Sequence, residues 1–341
     1  MKSGWSINIV AVRVVGDHTV TRGLRPIDVT RDLGQVSELI ASIFASELGP
    51  EATGALRELR TLGRMGPFLM LLQHGDNLND LFGGYVWVES GHIVGNVTIQ
   101  RADSYGNRWI IANVAVHPDY RRRGIARALM EAALEHIAER GGCWAVLQVR
   151  ANNTAALTLY KRLGFETLFG ITDLVRPQQA SSLPNGGPPP GLRPLRDDEW
   201  HAAYTLATAA TPPLAQWWKP IRSHSFQRSP ESRLMELVWR LLRRKRAWRL
   251  AMPGPDGLQA MMTVQAAGWW GEHRLSFTVH PQARGRYEQA LVVHGLQLLD
   301  SVRPAVVRAS HDTEHQEGIA ALKATGFVQE RTLLTMRKAI R

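Results

Sequence analysis

Residues Val114 to Leu129 read VAVHPDYRRRGIARAL, and this stretch decides the fold. An apolar extended run ends at Val116, and Pro118 breaks it. A loop with three arginines leads to Gly124, where a helix opens. From Gly124 to Arg140 the residues Ile125, Leu129, Ala133 and Ile137 form one stripe, with Glu131, Glu135 and Glu139 off it. The first N–H groups of a helix have no partner within it and carry partial positive charge. A loop that aims several of them at one point is an anion cradle. Small residues at Gly124 and Ala126 let an anion reach the backbone, and Arg121, Arg122, Arg123 and Arg127 add full charges. The stretch is not a Walker loop, which needs GxxxxGK[ST], nor a dinucleotide loop, which needs GxGxxG.

Outward from this loop the pattern is α/β. Trp109–Val116 and Trp144–Val149 are extended apolar runs on either side of the helix, which Gly141-Gly142 stops. Asn153–Leu163 is a second helix, stopped by Gly164. Upstream, Tyr85–Val88 and Ile93–Ile99 form a hairpin around Glu89-Ser90-Gly91-His92. Leu24–Ile27 is a short strand, and Asp32 to Phe44 carries Leu33, Val36, Leu39, Ile40 and Ile43 at helical spacing.

The chain has 341 residues, enough for two domains. Arg176 to Pro190, RPQQASSLPNGGPPP, has the proline and glycine of a linker. Short matches recur across it: Leu24-Arg25-Pro26-Ile27 as Leu192-Arg193-Pro194-Leu195, Val116-His117-Pro118 as Val279-His280-Pro281, and Leu163-Gly164-Phe165 loosely as Thr325-Gly326-Phe327. Their offsets are 168, 163 and 162. One order at nearly one spacing predicts tandem copies of a unit. The expected organisation is an extension over residues 1–21, a first copy over 22–177, a linker over 178–190 and a second copy over 191–341.

The pattern Arg121-x-x-Gly124-x-Ala126 after a V-x-V-x-P strand resembles the pyrophosphate-binding motif of the GCN5-related N-acetyltransferases (GNAT family). Leu147-Gln148-Val149, then Asn153, Ala156, Leu159-Tyr160 and Leu163-Gly164-Phe165, resemble that family's last strand–helix–strand segment. The resemblance covers residues 22–177 well and 190–341 weakly. It implies two tandem α/β domains, each a mixed, mostly antiparallel twisted sheet flanked by helices, with two splayed parallel strands. It also implies an acetyltransferase that uses acetyl-CoA as co-substrate, without a metal, and passes the acetyl group to a small-molecule or peptide amine within a ternary complex. Trp109–Val116 and Trp144–Val149 would be the splayed strands. Pantetheine would pair with the backbone of Val114 to Val116, Ala115 included, and pyrophosphate would sit on the amides of Arg122 through Arg127, Ile125 among them. Asn153 would contact the cofactor and Tyr160 would protonate the departing thiolate. Independently, residues seven apart on a helix project from one face about 10 Å apart. A tyrosine O–H suits a thiolate leaving group, and a free N–H at a bulged strand suits the developing oxyanion.

The general base is missing from this pattern. Relatives place a glutamate on the strand that here reads WIIANVAV, where Asn113 stands. Glu47, Glu51, Glu89 or a water-mediated path are the options, and sequence does not rank them. The second copy is degenerate: its loop HPQARGRYEQAL is one residue shorter, with Arg286 and Glu288 in place of Gly124 and Ala126. Glu288 suits the helix dipole but repels a pyrophosphate, while His315 and Leu322 hold the asparagine and tyrosine positions. This copy is expected not to bind CoA productively. The tandem layout is similar to that of mycothiol synthases, whose active copy is the second, which argues against that activity.

Two alternatives compete: a non-catalytic acyl-CoA sensor, favoured by the absent strand glutamate, and a nucleic-acid-associated protein. The second rests on charge. The net charge is +11, with 19 Lys+Arg against 17 Asp+Glu in residues 1–177 and 22 against 13 in residues 178–341. Trp239 to Arg249, WRLLRRKRAWR, is the basic run; its plainer reading is a helix end entering a strand with its charges in water. The pairs Trp217-Trp218 and Trp269-Trp270 either pack between domains or line an acceptor pocket. His117 and His280 shape turns before proline. Cys143, the single cysteine, is read as an inert packing residue that excludes an internal disulfide. No apolar run is long enough for a membrane span, and the N-terminus is a poor signal peptide, so a cytoplasmic protein is the default expectation. Sequence leaves the oligomeric state open, a homodimer included.

Overall fold

The computed structural model describes residues 21–44, 83–103, 106–178, 186–227, 246–268 and 271–340. The chain divides into two compact units that interleave along the sequence. The first holds Met1–Leu147, Leu159–Glu166 and Arg337–Arg341; the second holds Gln148–Thr158 and Thr167–Met336.

In the first unit, strands β1 (Arg22–Pro26), β2 (Gly84–Glu89), β3 (His92–Arg101) and β4 (Arg108–Val116) pair antiparallel in that order. Strand β5 (Trp144–Arg150) then joins β4 in parallel. Helix α1 (Val29–Phe44) lays Val36, Leu39, Ile40 and Ala41 on Val86, Val88, Ile93 and Ala115. It begins three residues earlier than its apolar spacing predicts. The Asp28 carboxylate accepts from the Thr30 amide at 3.0 Å, and Asp32 accepts from the Asp28 amide at 2.8 Å, so the capping pair sets the start. Helix α2 (Ile125–Glu139) covers the sheet at Gly95. A Cβ there would lie 2.9 Å from Ile125 and 3.1 Å from Leu129, so glycine lets the helix start close to the strand.

In the second unit, helix α3 (Thr154–Arg162) supplies its first half, and β6 (Glu166–Arg176) runs antiparallel to β11 (Val307–Asp312) over six pairs from Val307↔Arg176 to Asp312↔Ile171. Strand β7 (Arg193–Pro194) leads to helices α4 (Trp200–Ala210) and α5 (Pro213–Trp218). Strands β8 (Arg246–Gly254), β9 (Gly257–Ala266) and β10 (His273–Val279) extend the sheet antiparallel. Helix α6 (Glu288–Asp300) packs Leu291, Val292, Leu296 and Leu299 against Leu275, Phe277 and Val279, and Leu174 of β6 belongs to the same core. Helix α7 (Gln316–Ala324) and β12 (Val328–Ala339) close the chain.

The proline-rich run lies within the second unit, whose core takes in residues on both sides of it. Strand β6 precedes that run yet its Leu174 is fully buried among second-unit residues. The last residues of β12 reach the first unit, where Ile340 donates to the Cys143 carbonyl at 2.9 Å and the Arg337 guanidinium lies 4.7 Å over the Trp144 ring. A strand takes whichever neighbour completes its ladder and buries its apolar face, and sequence order does not dictate which one that is.

Three smaller expectations are corrected or bounded. Cys143 is exposed, not packed, because it precedes the first residue of β5. Of the basic run, Arg246 to Arg249 form the start of β8, with Arg246 stacked 4.6 Å over Trp248; residues 239–245 lie outside the described residues, as do residues 1–20 and Trp269-Trp270. Trp217 and Trp218 lie half-buried with ring centroids 6.5 Å apart. Among the described residues no helix is long and apolar enough to cross a membrane.

Candidate active site

Strands β4 and β5 are paired only from Arg108↔Trp144 to Ile110↔Val146. Ile110↔Val146 is the last of these pairs. Strand β10 meets β11 in the same way, over His273↔Val307 and Arg274↔Arg308 alone. Just past the point of separation β4 bulges. The pairing with β3 passes from Asn96↔Ala115 to Thr98↔Ala112, leaving Asn113 and Val114 opposite Val97. Asn113 has φ of 50°, a left-handed value that asparagine tolerates better than β-branched neighbours do.

At the far end of β4 the chain turns through Pro118–Tyr120 and enters α2. Gly124 caps the helix at φ 81°, and a Cβ built there would meet nothing within 4 Å, so the space over the cap is open. The first helical bond is Ala128 N–H to Gly124 C=O at 3.0 Å. The amides of Ile125, Ala126 and Arg127 precede it and point out of the N-terminus. Arg122 also takes a positive φ, 63°.

The arginine side chains brace the loop. Arg121 Nε donates to the Val116 carbonyl at 3.2 Å, Arg123 donates to the Asp119 carbonyl at 3.0 Å and stacks 4.9 Å over Tyr120, and Arg127 pairs with Glu131 at 2.7 Å. Main-chain amides, more than guanidinium groups, are therefore what this cradle offers an anion.

Tyr160 is 6% exposed, its ring 6.0 Å from that of Phe165. Burial pushes its phenol up to about 12, because the phenolate would be stranded away from water. The hydroxyl is thus protonated throughout the physiological range. Asn153 caps α3, its Oδ1 accepting from the Ala156 amide at 3.1 Å.

Of the candidate bases, Glu47 and Glu51 lie outside the described residues. Glu89 ends β2 opposite His92, and the pairing Gly95↔Val116 puts that hairpin at the Val116 end of β4, away from the bulge. It is also held by Arg22 at 3.1 Å and by the Trp87 indole at 3.3 Å.

The corresponding loop of the second unit is filled by its own side chain. Glu288 is 3% exposed; it accepts from the Gly285 amide at 2.9 Å, from the Tyr287 amide at 3.0 Å, and pairs with His315 at 2.8 Å. His315 in turn meets His311 at 2.8 Å. Leu322, at the tyrosine position, is fully buried. Among the described residues no group of three possible ligands could hold a metal ion. The buried cluster of Glu288, His315 and His311 escaped the sequence reading, although the i, i+4 histidine pair was visible there.

Parallel pairing of β4 with β5, a bulge in β4 and a bare helix N-terminus at the strand's end are the geometry found here. Residues 56–165 match the model of the acetyltransferase (GNAT) family. A GCN5-related N-acetyltransferase from Sphaerobacter thermophilus shares the fold over 93% of this chain and 95% of its own, with a TM-score of 0.57 at 17% identity. The [ribosomal protein bS18]-alanine N-acetyltransferase of Escherichia coli (strain K12) is 49% identical over 53 residues, 16% of this chain and 36% of that one. The mycothiol acetyltransferase of Kocuria rhizophila is 32% identical over 145 residues, 42% of this chain and 45% of that one. The chain thus spans between about a third and a half of the length of these two relatives.

Proposed function

We propose that the chain is an acetyl-CoA-dependent N-acetyltransferase with its working site in the first copy of a tandem pair. One observation carries this: the separation of β4 from β5 after Ile110↔Val146, with the bulge at Asn113 beside it and the first-turn amides of α2 at the other end of the same strand. An extended arm needs a gap with free backbone edges, its carbonyl needs a donor at the bulge, and its diphosphate needs amides. All three lie along β4. In this reading Val114, Ala115 and Val116 line the arm, the amides from Arg122 to Arg127 with Gly124 hold the diphosphate, Asn153 borders the cofactor, and Tyr160 returns a proton to the leaving thiolate. The acceptor is a small-molecule or peptide amine.

A thiol-release assay with acetyl-CoA and a broad panel of amines tests this. Turnover with at least one amine class is expected; binding without turnover against the whole panel would leave a sensor instead. Gly124→Val is a sharper probe. A β-branched residue at φ 81° costs about 1–2 kcal/mol and crowds the amides. The KM for acetyl-CoA should rise about tenfold, whereas Arg127→Ala, which removes only a guanidinium already paired with Glu131, should change it little.

The second copy is read as non-binding. Glu288 supplies, from within, the negative charge that the loop would otherwise take from a diphosphate.

A further inference from the structure

Asn96 is a polar residue in an otherwise apolar strand, IVGNVTI, and it is fully buried. Its Nδ2 donates to the Asn113 carbonyl at 3.0 Å, across the β3–β4 bulge. The Asn113 side chain donates to Thr98 Oγ1 at 3.3 Å, so both ends of residue 113 are tied to β3. The Asn96 Oδ1 is buried with no hydrogen-bond partner. A buried acceptor left unpaired costs about 1–3 kcal/mol. Swapping O for N would set two oxygens against each other at Asn113, so the amide orientation is fixed by that contact.

Among the described residues no peptide bond is cis. In a trans peptide the C=O and the following N–H point opposite ways. Because the Asn113 carbonyl is drawn toward Asn96 on β3, the Val114 N–H faces away from β3, on a stretch of β4 past its last pair with β5. The β3 pairing gives Val114 no partner there.

We propose that Asn96 is a positioning residue: by clamping the Asn113 carbonyl it aims the Val114 N–H at the carbonyl oxygen of an acyl thioester bound between β4 and β5. This rests on the acetyl-transfer reading above. Asn96 itself touches no reacting atom. Its Oδ1 goes unpaired while its Nδ2 is committed to the Asn113 carbonyl, so the contact to residue 113 is what the buried amide makes here.

The test uses the full chain labelled with ¹⁵N-valine, as wild type, Asn96→Leu and Asn96→Asp. Free CoA and S-acetonyl-CoA, a ketone that keeps the carbonyl but cannot transfer it, are titrated in parallel. In the wild type the Val114 amide resonance should shift further with the ketone than with CoA. Both variants should bind CoA with about the wild-type affinity and lose that extra shift. Their kcat should fall about 10- to 100-fold with KM for acetyl-CoA little changed, the range for a misaimed oxyanion donor. Asn96→Leu removes one unpaired acceptor and leaves another, the Asn113 carbonyl, so its melting temperature should stay near that of the wild type, and Asn96→Asp guards against a leucine-specific packing defect. Retention of the carbonyl-dependent shift in both variants overturns the proposal. So does a wild type that binds both ligands without distinguishing them at Val114, which would leave the acetyl-transfer reading intact. A wild type that binds neither ligand overturns that reading and this inference with it.

Discussion

Replacing Tyr160 with phenylalanine is expected to lower kcat by about 10²-fold or more while leaving the KM for acetyl-CoA nearly unchanged. The substitution removes one oxygen and keeps the ring that lies against Phe165, so the packing survives and the loss is chemical. The sign of the pH dependence follows from burial. The phenol is pushed up to about 12, so the proton that the proposed mechanism asks of it is held well above neutral pH. An ordinary tyrosine would lose it near pH 10. The wild type should therefore show no alkaline loss of kcat at pH 10 traceable to this group, and the phenylalanine variant should be depressed by the same factor at pH 7 and pH 10. Unchanged turnover in the variant would remove Tyr160 from the mechanism. A loss confined to high pH would mean that a different acid supplies the proton.

Much of this site is legible in the sequence because it is made of backbone, and backbone geometry writes itself into residue type. A strand that must stop needs Pro118, and a cap at φ 81° needs Gly124. A first turn that must stay open needs small residues such as Ala126. The two strands on either side of the helix are legible as apolar runs, whereas their splay is implied only by the family resemblance. What could not be read there is partnership across distance. Strand β6 alternates buried and half-buried positions while β12 has no such period, and nothing local in either says that β6 pairs with β11 or that Arg337 lies over Trp144. The general base stayed unread for a related reason: Glu89 is chemically a fair candidate, and only the register shows that it sits at the other end of β4. Asn96 did leave a signal, a lone amide in an apolar strand, but its meaning depends on the bulge opposite it.

The Glu288–His315–His311 cluster predicts how the second unit responds to acid. His311 lies 4.5 Å from the Phe277 ring and against Gly318, where a Cβ would strike its imidazole. Burial, the neighbouring His315 and Arg284 lower its pKa to about 4, with only Glu288 opposing them. A base whose folded pKa lies below its ordinary 6.5 resists protonation in the native state and accepts it in the unfolded chain. Its contribution is complete above about pH 6.5 and is lost as pH falls toward 4. The gap corresponds to about 3 kcal/mol at pH 4 and about 2 kcal/mol at pH 5. Glu288 moves the same way lower down: burial alone would raise its pKa, but His315 and the loop amides together outweigh it and hold the carboxyl below its ordinary value, so its contribution is lost as pH falls below 4.5. Urea unfolding at pH 7.5, 6 and 5, followed by the fluorescence of second-unit tryptophans, should show the loss beginning below pH 6.5. His311→Gln should flatten it. Glu288→Ala should cost about 3 kcal/mol or more even at pH 7.5, because it orphans the Gly285 and Tyr287 amides and the buried His315 together. If wild-type stability is level from pH 7.5 to 5, His311 takes up its proton alike in the folded and unfolded chain, and its burial against Phe277 does not hold it neutral.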